Sequence, residues 1–154
     1  MKYYHVAPTG LSIGHTIQSG SWGLRTLEFV DGGRQPSCTK DAIILGWEAV
    51  LETARQLIDI TLPSRMDCIF ACESEQDARV YRDGFRGGSA LYEIEVPDQT
   101  KTHRGDYALI TTSRPGVTFL DSYVEGAIAY WSEEPRGMVE CLVGGSAKIT
   151  RLID

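Results

Sequence analysis

The chain has 154 residues, 42% of them hydrophobic and 23% charged, with a formal net charge of −6. That length fits one domain and leaves little room for two, and so large an apolar share excludes disorder as a description of the whole. A mildly acidic chain also lacks the broad positive field that drives nonspecific nucleic-acid binding.

The N-terminus, Met-Lys-Tyr-Tyr-His-Val, has no apolar run of signal-peptide length, and no stretch is apolar enough to span a bilayer. A cytoplasmic protein without a membrane partner is the expectation. Cys38, Cys68, Cys72 and Cys141 are irregularly spaced and form no CxxC pair, which argues against a zinc site or a disulfide framework. Three of the four fall in apolar, strand-like segments, as buried thiols do.

In chain order, residues 2–7 have the aromatic and β-branched content of a short strand. Pro8, Gly10 and Gly14 then mark a turn. Residues 19–37 hold Gly20, Gly23, Gly32, Gly33 and Pro36, the composition of a mobile loop, with one short strand at Leu27–Val30. A helix follows from about Lys40 to Ile60, with Thr39 as its N-cap. Ile43, Ile44, Trp47, Val50, Leu51, Ala54, Leu57 and Ile58 recur at helical period and make a stripe that would anchor the helix on a sheet. Pro63 cannot continue it.

Residues 66–72 form an apolar run suited to a buried strand. Ser74, with Asp77 three positions on, has the pattern of an N-cap, and a short helix carrying Ala78 and Tyr81 fits before Gly84, Gly87 and Gly88. Arg79, Arg82 and Arg86 cluster here, either as a local basic patch or as a solvated helix face. Ala90–Val96 alternates, but Leu91, Ile94 and Val96 do not share one face, so both faces of this strand are expected to be covered; Pro97 closes it. Tyr107–Thr111 is a further strand candidate. Asp121 or Ser122 would cap a helix through Trp131 with Val124, Ala127, Ile128 and Trp131 on one side. Met138–Val143, a Gly144-Gly145 turn and Ala147–Ile153 read as a hairpin or as a strand with a final segment. The class is α+β.

Three motifs carry a resemblance. Tyr4-His5-Val6 on the first strand precedes Leu11, Gly14 and Ile17; Cys68-Ile69-Phe70-Ala71 precedes Ser74, Ala78 and Tyr81; Val139-Glu140-Cys141-Leu142-Val143 precedes Ile149 and Leu152-Ile153. In this order they resemble the ADP-ribosyltransferase superfamily, and in layout its histidine-containing branch, which includes poly(ADP-ribose) polymerases, DarT toxins and rifampin-modifying transferases. The resemblance covers most of the chain and implies a single ADP-ribosyltransferase-like domain over 1–154, with split sheets of short strands and an NAD cleft between them.

It also implies roles. His5 would hydrogen-bond the ribose of NAD, the backbone of Val6 would hold the nicotinamide amide, Tyr81 would stack on the nicotinamide ring, and Phe70 would be the packing aromatic beside it. Glu140 would be the catalytic carboxylate, beside an oxocarbenium-like transition state. Val6 stands where Gly is common in the branch, and Ile69 where Tyr is usual. Met138 stands where arginine-directed members of another branch carry a second acidic residue. Asp106 and Glu133 are the alternative acidic groups. The implied activity is mono-ADP-ribosyl transfer, toxin-like, from NAD as substrate and without a metal. The acceptor is left open among protein, nucleic acid and small molecules, and a noncatalytic binding module and an NAD glycohydrolase are the other readings.

Overall fold

The computed structural model of the protein describes residues 1–29, 33, 35, 36, 39–110 and 116–154, Thr39 by its backbone only. The expectations resting on Val30, Cys38, Thr111 and the Thr39 cap lie outside the described residues. Mixed helices and two antiparallel sheets make the α+β class expected from the sequence.

Strand β1 is Lys2–Ala7, β2 is Thr16–Ile17, β3 is Ile69–Ala71, β4 is Ala90–Glu95, β5 is Thr102–Asp106, β6 is Val139–Val143 and β7 is Ala147–Leu152. The helices are α1 (Ser21–Leu27), α2 (Thr39–Ile58), α3 (Glu75–Phe85) and α4 (Phe119–Ser132). One sheet has the order β1-β4-β7-β2 and the other β3-β6-β5. They join just beyond β3, where the Tyr4 N–H donates to the Cys72 carbonyl at 2.9 Å and the Cys72 N–H to the Tyr4 carbonyl at 2.8 Å.

Alternation sorts the side chains into layers. Ile69, Ala71, Cys141 and Val143 face Tyr3, Tyr92, Ile94 and Ile149 in the core between the sheets. The opposite face of the three-stranded sheet gives Leu142 and Phe70 to a second cluster with Leu51 and Ala54 of α2 and Ala127, Tyr130 and Trp131 of α4. Helix α3 covers the outer face of β1 and β4, with Ala78 and Tyr81 on Tyr4, Val6 and Leu91. Strand β4 lies between β1 and β7, so its residues 90–94 are buried on both faces, as its apolar pattern requires.

Several expectations change. Among the described residues of 19–37, Ser21–Leu27 form α1, not a loop, and Leu27 ends that helix instead of opening a strand. Gly23 serves close approach: a Cβ there would lie 1.9 Å from the Met66 carbonyl oxygen. The apolar run at 66–72 is divided, because Ser64 caps a 3-10 turn at Arg65–Asp67 and β3 begins only at Ile69. The α2 stripe is half right. Leu51 and Ala54 are buried, but Leu57 is 82% exposed and Ile43 and Ile58 are exposed too, while Glu48 and Arg55 lie on the buried side. Arg55 is accommodated there by Glu52 and by the carbonyls of Ile60 and Leu62, which close the end of the helix.

Tyr107–Ile110 is a 3-10 turn, begun where the Asp106 carboxylate accepts the Ala108 N–H, and the strand is the polar Thr102–Asp106 at the sheet edge. Ser74 caps α3 as expected, whereas α4 is capped by Thr118, whose hydroxyl accepts the Asp121 N–H. β6 and β7 are no hairpin, since they belong to different sheets. The basic patch is mostly neutralised: Arg79 pairs with Glu75 and Asp154, and Arg82 with Asp83 and Asp154.

Two helical glycines form a matched test. A Cβ at Gly46 of α2 would meet nothing within 4 Å, whereas one at Gly126 of α4 would lie 2.5 Å from the Leu109 carbonyl oxygen. Gly46→Ala is expected to stabilise by about 0.5–1 kcal/mol and Gly126→Ala to destabilise by about 1–3 kcal/mol. Urea midpoints at constant m-value check both.

Candidate functional site

Glu140 sits on β6 opposite Gly105 of β5. That glycine has a steric reason, since a Cβ there would lie 2.1 Å from the ring of Tyr130. The ring therefore lies flush on the strand, and its hydroxyl donates to Glu140 Oε1 at 2.7 Å. Arg65, from the 3-10 turn, donates through Nη1 to the Tyr130 hydroxyl at 2.9 Å and to the same Glu140 oxygen. Its remaining edge grips Glu48 of α2, Nε to Oε2 at 3.0 Å and Nη2 to Oε1 at 3.1 Å. Trp22 of α1 donates its indole N–H to Glu48 at 2.9 Å. The guanidinium carbon lies 4.9 Å from the centre of the Phe70 ring and 5.3 Å from that of Tyr130.

One guanidinium therefore serves two carboxylates, and the cluster keeps a net charge of −1. Burial alone would depress the Arg65 guanidinium, but Glu140, Tyr130 and Glu48 outweigh it and hold it well above its ordinary range. Burial, then the Glu140 charge, raises the Tyr130 phenol. Both described bonds to Glu140 fall on Oε1, and no described residue bonds Oε2.

On the other side of β3 lies β1. His5 Nδ1 is 2.8 Å from the Phe70 carbonyl oxygen. A carbonyl only accepts, so Nδ1 carries the proton and Nε2 keeps its lone pair. Burial lowers the His5 pKa, the Phe70 bond works against this, and the Arg86 charge adds to it, leaving a neutral ring.

Val6 is placed by strand parity. Tyr4 directs its N–H and C=O away from β4 toward Cys72, so Val6, two residues on, turns its own pair to the same edge. Its partner in register, Leu91, bonds instead to Asp154 and Ile153. Toward Val6 the antiparallel register leads back along β3 to Phe70, but the ladder stops at the bridge, the Phe70 carbonyl faces the His5 ring, and the Val6 backbone pair meets no described partner. The Val6 side chain and Tyr81 both pack against the cluster of Cys72, Ala78 and Leu91 on the α3 side. The Tyr81 ring lies 5.6 Å from Phe85 and 6.4 Å, edge-on, from Tyr107. The Tyr107 phenol is raised first by burial and then by the charges of Tyr81 and Glu140, with Arg65 and Arg86 opposing. Tyr107 thus lies between the two halves of the site.

The structure sets Val6 and Tyr81 against one small core under α3, turns the His5 ring to the opposite face of β1 and onto the Phe70 carbonyl, and gathers Phe70 and Glu140 in a second group around Arg65. Phe70 links them, its carbonyl on His5 and its ring on Arg65. Phe70 itself is a core aromatic, edge-on to Trp22 at 6.4 Å. Asp106 stands apart: its carboxylate accepts the backbone N–H groups of Ala108, Arg136 and Gly137 at 2.9, 3.0 and 2.8 Å, holding the turn that leads into β6. Glu133 lies past the end of α4, beside Arg136 at 4.0 Å, in the lining of a 250 Å³ recess with His103 and Trp131. A larger recess of 320 Å³ near Met1 and Lys148 holds none of the expected site residues.

Cys68, Cys72 and Cys141 are free and buried, and burial pushes the Cys72 and Cys141 thiols up to about 12, which leaves them poor nucleophiles. No group of metal-ligating side chains occurs among the described residues, and none of their helices is long and apolar enough to cross a membrane.

A family profile described as "Protein of unknown function (DUF2441)" matches residues 26–154. The chain belongs to the DUF2441 family. The matched part of this DUF2441 protein includes Phe70, Tyr81 and Glu140, whereas His5 and Val6 precede it. No curated protein matches the chain.

Sequence reasoning missed Arg65, Glu48, Tyr130 and Gly105. Glu48 left a signal, because it falls on one helix face with Ile44, Leu51 and Arg55, an acid amid apolar neighbours. Removing Arg65 would leave two carboxylates facing each other out of water. Arg65→Leu is expected to cost about 3–5 kcal/mol, seen as a drop in the urea midpoint, and Glu48→Gln in the same chain should recover part of it. Stability should also depend on the two histidines whose pKa values lie below the ordinary 6.5, His5 by burial and His103 by burial and the Arg65 charge. The unfolded chain takes up these protons first, so their stabilisation is present above pH 6.5 and is lost as pH falls through that value. The thermal midpoint should fall between about pH 7.5 and 5.5, and His103→Gln should flatten the slope.

Proposed function

We propose that this DUF2441 protein has an ADP-ribosyltransferase-like fold and transfers a single ADP-ribosyl group from NAD to an acceptor, releasing nicotinamide. The observation that carries the reading is the backbone pair of Val6, which has no partner among the described residues. A primary carboxamide offers one acceptor and one donor, and a strand edge with an unused N–H and C=O matches it. Tyr81, packed with Val6 against the same small core, supplies a ring face for the flat pyridinium. His5, with its Nε2 lone pair, would accept a ribose hydroxyl.

The chemistry follows from the charge of the second group. As the C1′–N bond breaks, its electron pair leaves with nicotinamide and neutralises the ring, while positive charge grows on the ribose. Glu140, with Oε1 fixed by Arg65 and Tyr130, offers Oε2 to that charge and to a ribose hydroxyl without reorganising. The acceptor's lone pair then bonds to C1′, and its proton passes to Glu140 or to water. With water as acceptor the same steps give NAD hydrolysis.

One observation favours a second reading. The ion pair of Glu140 with Arg65 commits part of that carboxylate to structure, as a noncatalytic NAD-binding module would allow. The deciding experiment measures NAD affinity by calorimetry and nicotinamide release by chromatography, with cell lysate as the acceptor source. Glu140→Gln should lower turnover by about a hundredfold with NAD affinity nearly intact, and Tyr81→Ala should weaken binding by about 1 kcal/mol. NAD binding without nicotinamide release in the wild type would select the module. Neither binding nor release would overturn both readings.

A further inference from the structure

Helix α3 ends on an arginine unlike the two before it. Arg79 and Arg82 are tied to Glu75, Asp83 and Asp154, but Arg86, the C-terminal cap residue, pairs with no carboxylate among the described residues. Its Nε reaches the Tyr81 hydroxyl at 3.4 Å. Around it stand three rings: Phe85 lies 5.6 Å from Tyr81 and 5.5 Å, near edge-on, from Tyr107. Phe85 is 54% exposed, an open aromatic face next in sequence to a cation with no described carboxylate partner. Through Tyr81 it stands beside the residues of the proposed NAD site, and its charge reaches both His5 and Tyr107.

The proposed site thus carries charges of opposite sign. Around Glu140 two carboxylates share one guanidinium and leave a negative charge, and beside Tyr81 Arg86 is a positive charge with no carboxylate partner among the described residues. A ligand that complements this pattern is itself divided, with a cation at one end and an anion at the other. NAD is such a molecule, with its pyridinium apart from its pyrophosphate. The partial negative charge at the end of α3 works against an anion, but a full guanidinium charge with a planar fork of donors outweighs it.

We propose that Arg86 is the subsite for the pyrophosphate of a nucleoside-diphosphate ligand, with Phe85 supplying the ring face beside it. The proposal rests on the NAD reading and adds the residue that selects a dinucleotide over an uncharged nucleoside. The phosphate oxygens take the guanidinium N–H donors in charge-assisted hydrogen bonds.

Calorimetric titrations of NAD, ADP-ribose and adenosine against the whole chain test it, at two salt concentrations. Arg86→Gln is expected to weaken NAD and ADP-ribose by about tenfold, to leave adenosine unchanged and to reduce the salt dependence. Arg86→Lys should keep part of the affinity, and Arg82→Gln, whose side chain is already paired, should stay within about twofold of wild type. Thermal midpoints confirm that each variant is folded. If Arg86→Gln binds ADP-ribose as the wild type does, the subsite is overturned and the NAD reading stands. If Arg82→Gln loses as much as Arg86→Gln, a general field and no subsite is at work, and the proposal also falls. If the wild type binds neither NAD nor ADP-ribose, the NAD reading and the subsite fall together.

Discussion

Two backbone hydrogen bonds between Tyr4 and Cys72 decide where the sheets of this protein meet and where they part. The pairing is antiparallel and stops at that bridge: toward Val6 the register leads back along β3 to Phe70, yet no further backbone bond forms among the described residues and that edge of β1 runs on unpaired. A bare edge inside a fold normally demands cover, because each unused N–H and C=O is costly unless water or another group satisfies it. Here the cost falls at Val6, between the helix that carries Tyr81 and the carbonyl that holds His5. That edge opens where the His5 ring, and not the Val6 backbone, takes the Phe70 carbonyl, while the Ser64-capped turn at Arg65–Asp67 sets where β3 begins.

That same turn delivers Arg65, and with it the electrostatic problem of the interior. A lone guanidinium out of water would be intolerable; two carboxylates and two ring faces make it tolerable. The arrangement draws on α1 through Trp22, α2 through Glu48, α4 through Tyr130 and β6 through Glu140. Four elements distant in sequence are oriented by one side chain, so the place of Glu140 is set by the packing of the whole second core, not by its own strand alone.

How much of this was readable beforehand depended on the range of the forces. The first strand, the long helix, the Ser74 cap and the doubly buried β4 announce themselves locally, through period and capping chemistry. The polar strand Thr102–Asp106 does not, because an edge strand needs no apolar alternation. Helix α1 was hidden by glycines that look like loop residues but serve close approach to Met66. The residues of the three motifs do converge on neighbouring strands, yet Arg65, Tyr130 and Gly105 were invisible: each acts only through a partner from another part of the chain.

Gly105 and Tyr130 have a consequence for how such a sequence can change. The strand surface and the aromatic ring occupy one volume between them, so the two positions are not free to vary independently. Any side chain at 105 evicts the ring, and eviction takes the hydroxyl away from both Arg65 and Glu140. A smaller residue at 130 opens space for a side chain at 105, but only by surrendering that hydroxyl. Substitution at this pair is therefore strongly epistatic: passage through either single change crosses a valley, and the glycine is held in place by the bonds that the Tyr130 hydroxyl makes to two other residues.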